Sequence, residues 1–227
     1  MKRFMKTSCF LVLLICSIFN AKGQTAIGGK IGLNLATYIG DTDESFMDKG
    51  SVLGFQIGGV IELGITDRFS IQPELVYIRK GVSDEFTLDV LGDVAMTESD
   101  FKLNYIELPI LGKLKFGAPE STNFFVTAGP TFGYATGGEI DTEITFEGET
   151  MESSDDIEFS DNDGFRRFEL GAAVGAGINI PSGSGNFFGE IRYAIGITNL
   201  NDDDTADLSL RNSAIGLSVG YLHPIGN

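Results

Sequence analysis

The sequence predicts an all-β fold, an eight-stranded antiparallel up-and-down transmembrane β-barrel, on three observations. Eight stretches of ten or more residues alternate large apolar side chains with glycine, polar or charged ones at period two. The connections between them alternate long and short, so the long ones gather at one rim of a meander. Beyond residue 23 no segment holds 18 consecutive apolar residues, so no helix of the mature chain is expected to cross a bilayer.

Residues 1–23 read as an export signal. Lys2, Arg3 and Lys6 make a basic start, residues 9–19 are an apolar run of 11, and Ala21-Lys22-Gly23 places small residues at a cleavage site before Gln24. Eleven apolar residues are too few to span. Cys16 follows Ile15, not the small residue a lipid-anchoring signal requires. Losing Lys2, Arg3, Lys6 and Lys22 leaves 32 acidic against 12 basic residues, a charge of -20, and also removes both cysteines, Cys9 and Cys16. Residues 24–227 therefore form one expected barrel domain, held without disulfides.

The strands follow in order. The first, 28–37, opens on Gly29-Lys30-Ile31-Gly32-Leu33-Asn34-Leu35. The second, 53–64, sets Leu53, Phe55, Ile57, Ile61 and Leu63 against Gly54, Gln56, Gly58, Glu62 and Gly64, and the third, 69–80, sets Phe69, Ile71, Leu75 and Tyr77 against Gln72 and Glu74. The fourth and fifth are 101–116 and 123–135. In the sixth, 166–180, Phe168, Leu170, Val174, Ile178 and Ile180 oppose Arg167, Glu169, Gly171, Gly175, Gly177 and Asn179. The seventh, 186–198, opposes Phe187, Ile191, Tyr193, Ile195 and Ile197 to Glu190, Arg192 and Gly196, and the eighth is 211–222. A soluble barrel puts its large apolar side chains inside. Here the polar face is also the glycine-rich one, which suits a narrow lumen that must hold charged side chains, so the apolar face is assigned to lipid. Closure follows, because an open sheet edge in hydrocarbon leaves backbone groups unpaired at several kcal/mol each.

Tight turns are expected at 65–68, 117–122 and 181–185, and long polar loops at 38–52, 81–100, 136–165 and 199–210, with both termini at the turn rim. The long loops carry 25 of the 32 carboxylates. The start of the third, from Glu139 to Thr150, alternates again, so strand five is expected to continue beyond the membrane as a ribbon. Of the remaining acids, Glu62, Glu74, Glu107, Glu169 and Glu190 lie on strand faces with Lys30, Lys113, Arg167 and Arg192. Charges inside so narrow a barrel must be paired. Glu74, Glu107, Glu169, Glu190, Lys113, Arg167 and Arg192 are accordingly expected to form one interior network, and the opposing reading makes the same residues a permeation path.

The opening phrase 29–35, Ile71-Gln72-Pro73-Glu74-Leu75-Val76-Tyr77, the run Leu103-Asn104-Tyr105-Ile106-Glu107-Leu108-Pro109-Ile110-Leu111 and the closing Gly216-Leu217-Ser218-Val219-Gly220-Tyr221 resemble the outer-membrane β-barrel domain family common in Bacteroidota, often called PorT-like. The resemblance covers the mature chain and implies an eight-stranded outer-membrane barrel with, for most members, no defined activity. The tail from His223 to Asn227 departs from barrels that end on an aromatic residue, and Tyr221 is the nearest substitute.

Catalytic and cofactor chemistry finds little material. His223 is the single histidine, so a Ser-His-Asp triad, a Cys-His pair or a histidine-rich zinc site is not expected, and no enzyme activity or cofactor is assigned. The glycines form no phosphate-binding loop. Asp161-Asn162-Asp163-Gly164 has a calcium-loop look, but Phe159 and Leu170 occupy the first and twelfth ligand positions. With no Lys/Arg cluster and a pI near 4.3, nucleic acid is excluded as a partner. The expected location is the outer membrane, with loops outward and termini periplasmic. The expected partners are outer-membrane lipid, lipopolysaccharide bridged by divalent cations, and extracellular or envelope protein met through loops 38–52, 81–100, 136–165 and 199–210. The expected role is structural or surface-interacting, with a small-solute channel or a transport or assembly component as the alternative.

Overall fold

A strand hydrogen-bonds only sideways, so a set of them escapes free edges only when the last pairs with the first. In the computed structural model, which describes residues 24–40, 48–90, 93–118, 120–146, 149–157, 159, 165–201 and 209–225, this closure is made. The expected export signal at 1–23 and the motif at 161–164 lie outside the described residues. The strands are β1 (Thr25–Ile39), β2 (Asp48–Gly50), β3 (Val52–Gly64), β4 (Phe69–Val90), β5 (Asp93–Phe116), β6 (Asn123–Phe146), β7 (Glu149–Ile157), β8 (Phe168–Ser182), β9 (Gly185–Gly196) and β10 (Arg211–Ile225). Eight of them, all but β2 and β7, pair antiparallel in one ring. The seam joins β1 to β10 from Thr25↔Ile225 to Ile39↔Arg211, which also puts both ends of the ring at the same rim.

That rim carries the tight connections. Between β3 and β4 the amides of Ile65 and Thr66 donate to the Phe69 carbonyl, while the Thr66 hydroxyl accepts from the amides of Arg68 and Phe69. Between β8 and β9 the connection shrinks to Gly183-Ser184, and Gly183 has φ 61°, the left-handed conformation that a two-residue hairpin needs at its first position. Strands β8 and β9 therefore run further into the expected turn at 181–185 than the sequence suggested.

The opposite rim differs from expectation. Residues 81–100 are not a long loop: β4 and β5 keep one register from Phe69↔Leu114 to Val90↔Asp93, interrupted only at Glu74 and Leu75, and form one long hairpin. Acidity disguised it, because a solvated hairpin alternates with few large apolar residues. Strand β6 likewise runs on to Phe146, as the renewed alternation predicted, and turns back as β7 in unbroken register from Phe146↔Glu149 to Gly138↔Ile157. With β2 paired to Ser83, Asp84 and Glu85, the extensions make a five-stranded sheet, β2-β4-β5-β6-β7, standing off the barrel. A tilted strand needs about 9–11 residues to cross a membrane. The 22–24 residues of β4, β5 and β6 thus project roughly 35–45 Å further along each strand.

The two barrel faces separate as the alternation required. Leu53, Ile57, Leu75, Phe124, Leu217 and Val219 are more than half exposed on the outer wall, while Gln56, Glu62, Glu74, Glu107 and Glu169 are buried inside. Glycine makes the room. A Cβ on Gly175 would stand 2.6 Å from the Thr127 hydroxyl and 2.7 Å from a Glu190 carboxylate oxygen. Two apolar plugs lie in the lumen, Val60, Phe125, Phe188 and Leu222 toward the turn rim, and Val76, Ile78, Leu103, Tyr105 and Ala135 toward the sheet. Phe159 and Phe165, stacked at 5.5 Å, pack onto the second plug.

Candidate functional site

The charged side chains of the lumen come from the inward positions of six strands, β1, β3, β4, β5, β8 and β9, and they sort into three layers along the barrel. Nearest the turn rim, the Lys113 ammonium lies 2.9 Å from Glu62, Lys115 pairs with the same carboxylate, and Ser70 donates to it at 3.0 Å. Lys113 also stands 4.2 Å over the Phe125 ring, a cation–π contact inside the lower plug. In the middle layer Glu74 is the hub. It accepts from Lys30 at 2.5 Å, from both terminal nitrogens of Arg192 at 2.8 and 2.7 Å, and from Gln72 at 2.8 Å. Arg192 continues to Glu190 at 2.6 Å, and Glu190 accepts from Thr127 at 2.7 Å. In the third layer Lys80 lies 3.3 Å from Glu107 and 3.5 Å from Glu169, and Glu169 accepts from Asn212 at 2.7 Å.

Five carboxylates thus meet five cations. The layer at the turn rim holds one acid and two lysines, the middle is balanced, and the third holds two acids and one lysine. A buried charge that lacks a partner costs several kcal/mol, so this balance is the condition for filling so narrow a barrel with ions. Between the middle and third layers lies a void of about 30 Å³, bordered by Lys30, Gln56, Glu107 and Arg192, the room of about one water.

Of the seven expected network residues, Glu74, Glu107, Glu169, Glu190, Lys113 and Arg192 are in the lumen, but in three groups and not one. Arg167 is a correction. It precedes β8, donates to the Ala135 carbonyl at 3.1 Å, and lies between the rings of Tyr134 (4.7 Å) and Phe159 (4.9 Å), at the sheet rim. Because β8 begins at Phe168, the expected strand start at 166 ran two residues too early, and Arg167 belongs to the closing segment above the lumen. Lys80 takes its place as a cation. Sequence reasoning missed it because residue 80 was the last of an expected strand; the inward parity of Glu74 extended by six residues finds it. The single histidine, His223, pairs with Ile27 near the turn rim, its ring 3.5 Å from the Ser184 hydroxyl.

The standing sheet is the other charged feature. Cross-strand register places Glu85, Glu98, Glu143 and Glu152 side by side on four adjacent strands, with Asp100 and Asp141 in the next row of the same face. Like charges directly opposite are destabilising. Lys102 relieves the aspartate row, 2.6 Å from Asp141 and 3.2 Å from Asp100, and Arg79 lies 2.6 Å from Glu139 in the row beyond. The hydrogen bond to Asp141 raises the Lys102 ammonium above its ordinary pKa, and the same bond, with help from Ser154, holds the Asp141 carboxyl below its own. A cleft of about 560 Å³ opens among these carboxylates, Ser153 and Ser154. Among the described residues no group of three or more His, Cys, Asp or Glu has the arrangement of a metal site.

The profile of the outer membrane protein β-barrel domain matches residues 20–202. The chain belongs to this family. Its members are outer-membrane proteins, so the apolar outer wall faces lipid and the ring crosses the bilayer with strands. Similar solved structures include Ail of Yersinia pestis, at 16% identity and TM-score 0.41 over 88% of this chain and 98% of that one. OprG of Pseudomonas aeruginosa is similar at 10% identity and TM-score 0.49 over 90% and 97% of the two chains, and Neisserial surface protein A at 14% and 0.42 over 86% and 95%. No curated protein matches the chain.

Proposed function

We propose that this outer-membrane barrel is a closed, non-catalytic scaffold that carries the standing sheet as a surface-interaction element. The observation that carries the reading is the lumen. Five ion pairs' worth of side chains and two apolar plugs occupy it, and the void between its middle and third layers is about 30 Å³, too small for a solute to pass there. Strands more than twice the length needed to cross have no use within the bilayer, whereas outside it they hold a rigid platform. The sheet end is read as outward and the turn rim, with both chain ends, as periplasmic; an export signal followed directly by β1 and the concentration of acids at the sheet end support that orientation. The resemblance of the four phrases to PorT-like barrels of Bacteroidota agrees with a role outside catalysis. Lipid, lipopolysaccharide bridged by divalent cations, and an extracellular or envelope protein are the partner classes open to such a platform.

Planar-bilayer recording on the folded protein tests the closed lumen. The expected result is no steady conductance. Reproducible channels whose selectivity changes on neutralising Glu107 or Arg192 would replace this reading by the alternative of a small-solute channel or transport component.

A further inference from the structure

We infer that the outer edge of β7 takes up an extended segment of a partner protein as a sixth strand of the standing sheet, and that this segment alternates basic with apolar residues. The inference rests on the surface-interaction reading above and names the class of partner.

The first observation is an unguarded edge. One side of β7 pairs with β6 over all nine residues, and among the described residues nothing pairs with the other. Eight of the nine residues are exposed. Sheet proteins usually protect such an edge with lysine, proline, a bulge or a covering segment. The sequence Glu149-Thr-Met-Glu-Ser-Ser-Asp-Asp-Ile157 has no lysine and no proline, and its register with β6 contains no shift. At the other edge of the sheet, by contrast, β2 covers β4.

The second observation is the sign and spacing of the charge. Strand β7 holds four acids and no base, so pairing with a second copy of itself sets acid beside acid. On one face Glu152 ends the row Glu98-Glu143-Glu152, and Asp156 stands opposite Glu139. A lysine or arginine on an added strand would sit next in those rows and do for Glu152 what Lys102 does for Asp100 and Asp141. On the other face, which also carries Glu149 and Asp155, Met151 stands opposite the exposed Ile144 and Asp155 opposite Ile140, and Met151, Ile144 and Ile140 give apolar surface to the intervening residues of the same strand. Period two in the partner meets two different faces.

The test uses the full-length barrel in detergent micelles and a labelled nine-residue peptide of alternating lysine and valine. Two control peptides carry glutamate for lysine, or proline for the two central valines. The lysine–valine peptide should bind, slow amide exchange in 149–157, and lose at least about tenfold in affinity with either control. The double variant Glu152→Lys/Asp156→Lys, checked for folding by its mobility before boiling, should reverse the preference toward the glutamate peptide. Equal binding of the proline peptide would reduce the contact to charge attraction and overturn strand addition. No binding, protection of another segment, or uniformly slow exchange across 149–157 before peptide is added would also overturn it. Conductance decides the closed-lumen reading separately, so failure here leaves that reading standing.

Discussion

Replacing Glu74 with glutamine isolates the middle layer of the lumen. Arg192 keeps Glu190 at 2.6 Å, but Lys30, whose side chain is 1% exposed, loses its one ion-pair partner among the described residues. An ammonium is then left in a space that admits about one water. Breaking a buried pair from one side costs about 3–5 kcal/mol. At about 2–4 °C per kcal/mol for a chain of this size, Glu74→Gln should lower the unfolding midpoint by roughly 6–20 °C. The control is Asp141→Asn, which breaks a partly solvated pair worth about 0–1 kcal/mol. Adding Lys30→Met to Glu74→Gln removes the stranded charge and should restore most of the loss, because a buried pair and its neutral replacement are often close in energy. The assay is the temperature at which the compact electrophoretic form in detergent converts to the unfolded one. Equal shifts for Glu74→Gln and Asp141→Asn, or no recovery in the double variant, would refute a dry, ion-paired interior.

Gly175→Val should destabilise by about 1–3 kcal/mol by forcing Thr127 and Glu190 apart, whereas Gly59→Val, where a Cβ meets only the Gly28 carbonyl at 4.0 Å on the outer wall, should be near neutral; thermal midpoints compare the two. The Lys102–Asp141 clip has a pH signature. With Asp141 lowered in the folded state, its contribution is present above the ordinary carboxylate pKa and lost as pH falls through the lowered value; with Lys102 raised, its share is present below the ordinary ammonium pKa and lost as pH rises through the raised one. Exchange of amides at 98–102 and 139–143, corrected for intrinsic rate, should therefore stay flat from pH 5 to 9 and rise only in acid or strong base; a step near neutrality would contradict the assignment. Epitope tags inserted at 147–148 should be reached on intact cells and tags at 183–184 should not, and the reverse would invert the orientation.

How much of this was legible in the sequence depends on what each residue's signal meant. All eight ring strands, and the inward parity of those whose faces were read, were legible because lipid on one side and a crowded lumen on the other demand strict alternation, as in Leu53, Phe55 and Ile57 against Gln56. The β4–β5 extension was hidden because both faces of a solvated hairpin tolerate polar residues, so Ser83, Asp84 and Glu85 looked like loop. Pairing was harder still. That Glu74 meets Lys30 and Arg192, 44 and 118 residues away, is set by ring closure and strand stagger, which alternation along a single strand does not encode. Arg167 shows the same limit from the other side: its charge and parity suited the lumen, but the strand began one residue later.

Residues 24–227 contain no cysteine, so single cysteines can be placed along β3 and spin-labelled without background. Labels at Leu53, Phe55, Ile57 and Ile61 are predicted to be reached by oxygen dissolved in the lipid and not by a water-soluble nickel chelate. Labels at Gln56 and Val60, which face the lumen, are predicted to be reached by neither. Accessibility to the chelate at Gln56 and Val60 would show a wet channel, and loss of the period-two difference would show that the apolar face does not meet lipid; either result contradicts a closed, ion-paired barrel.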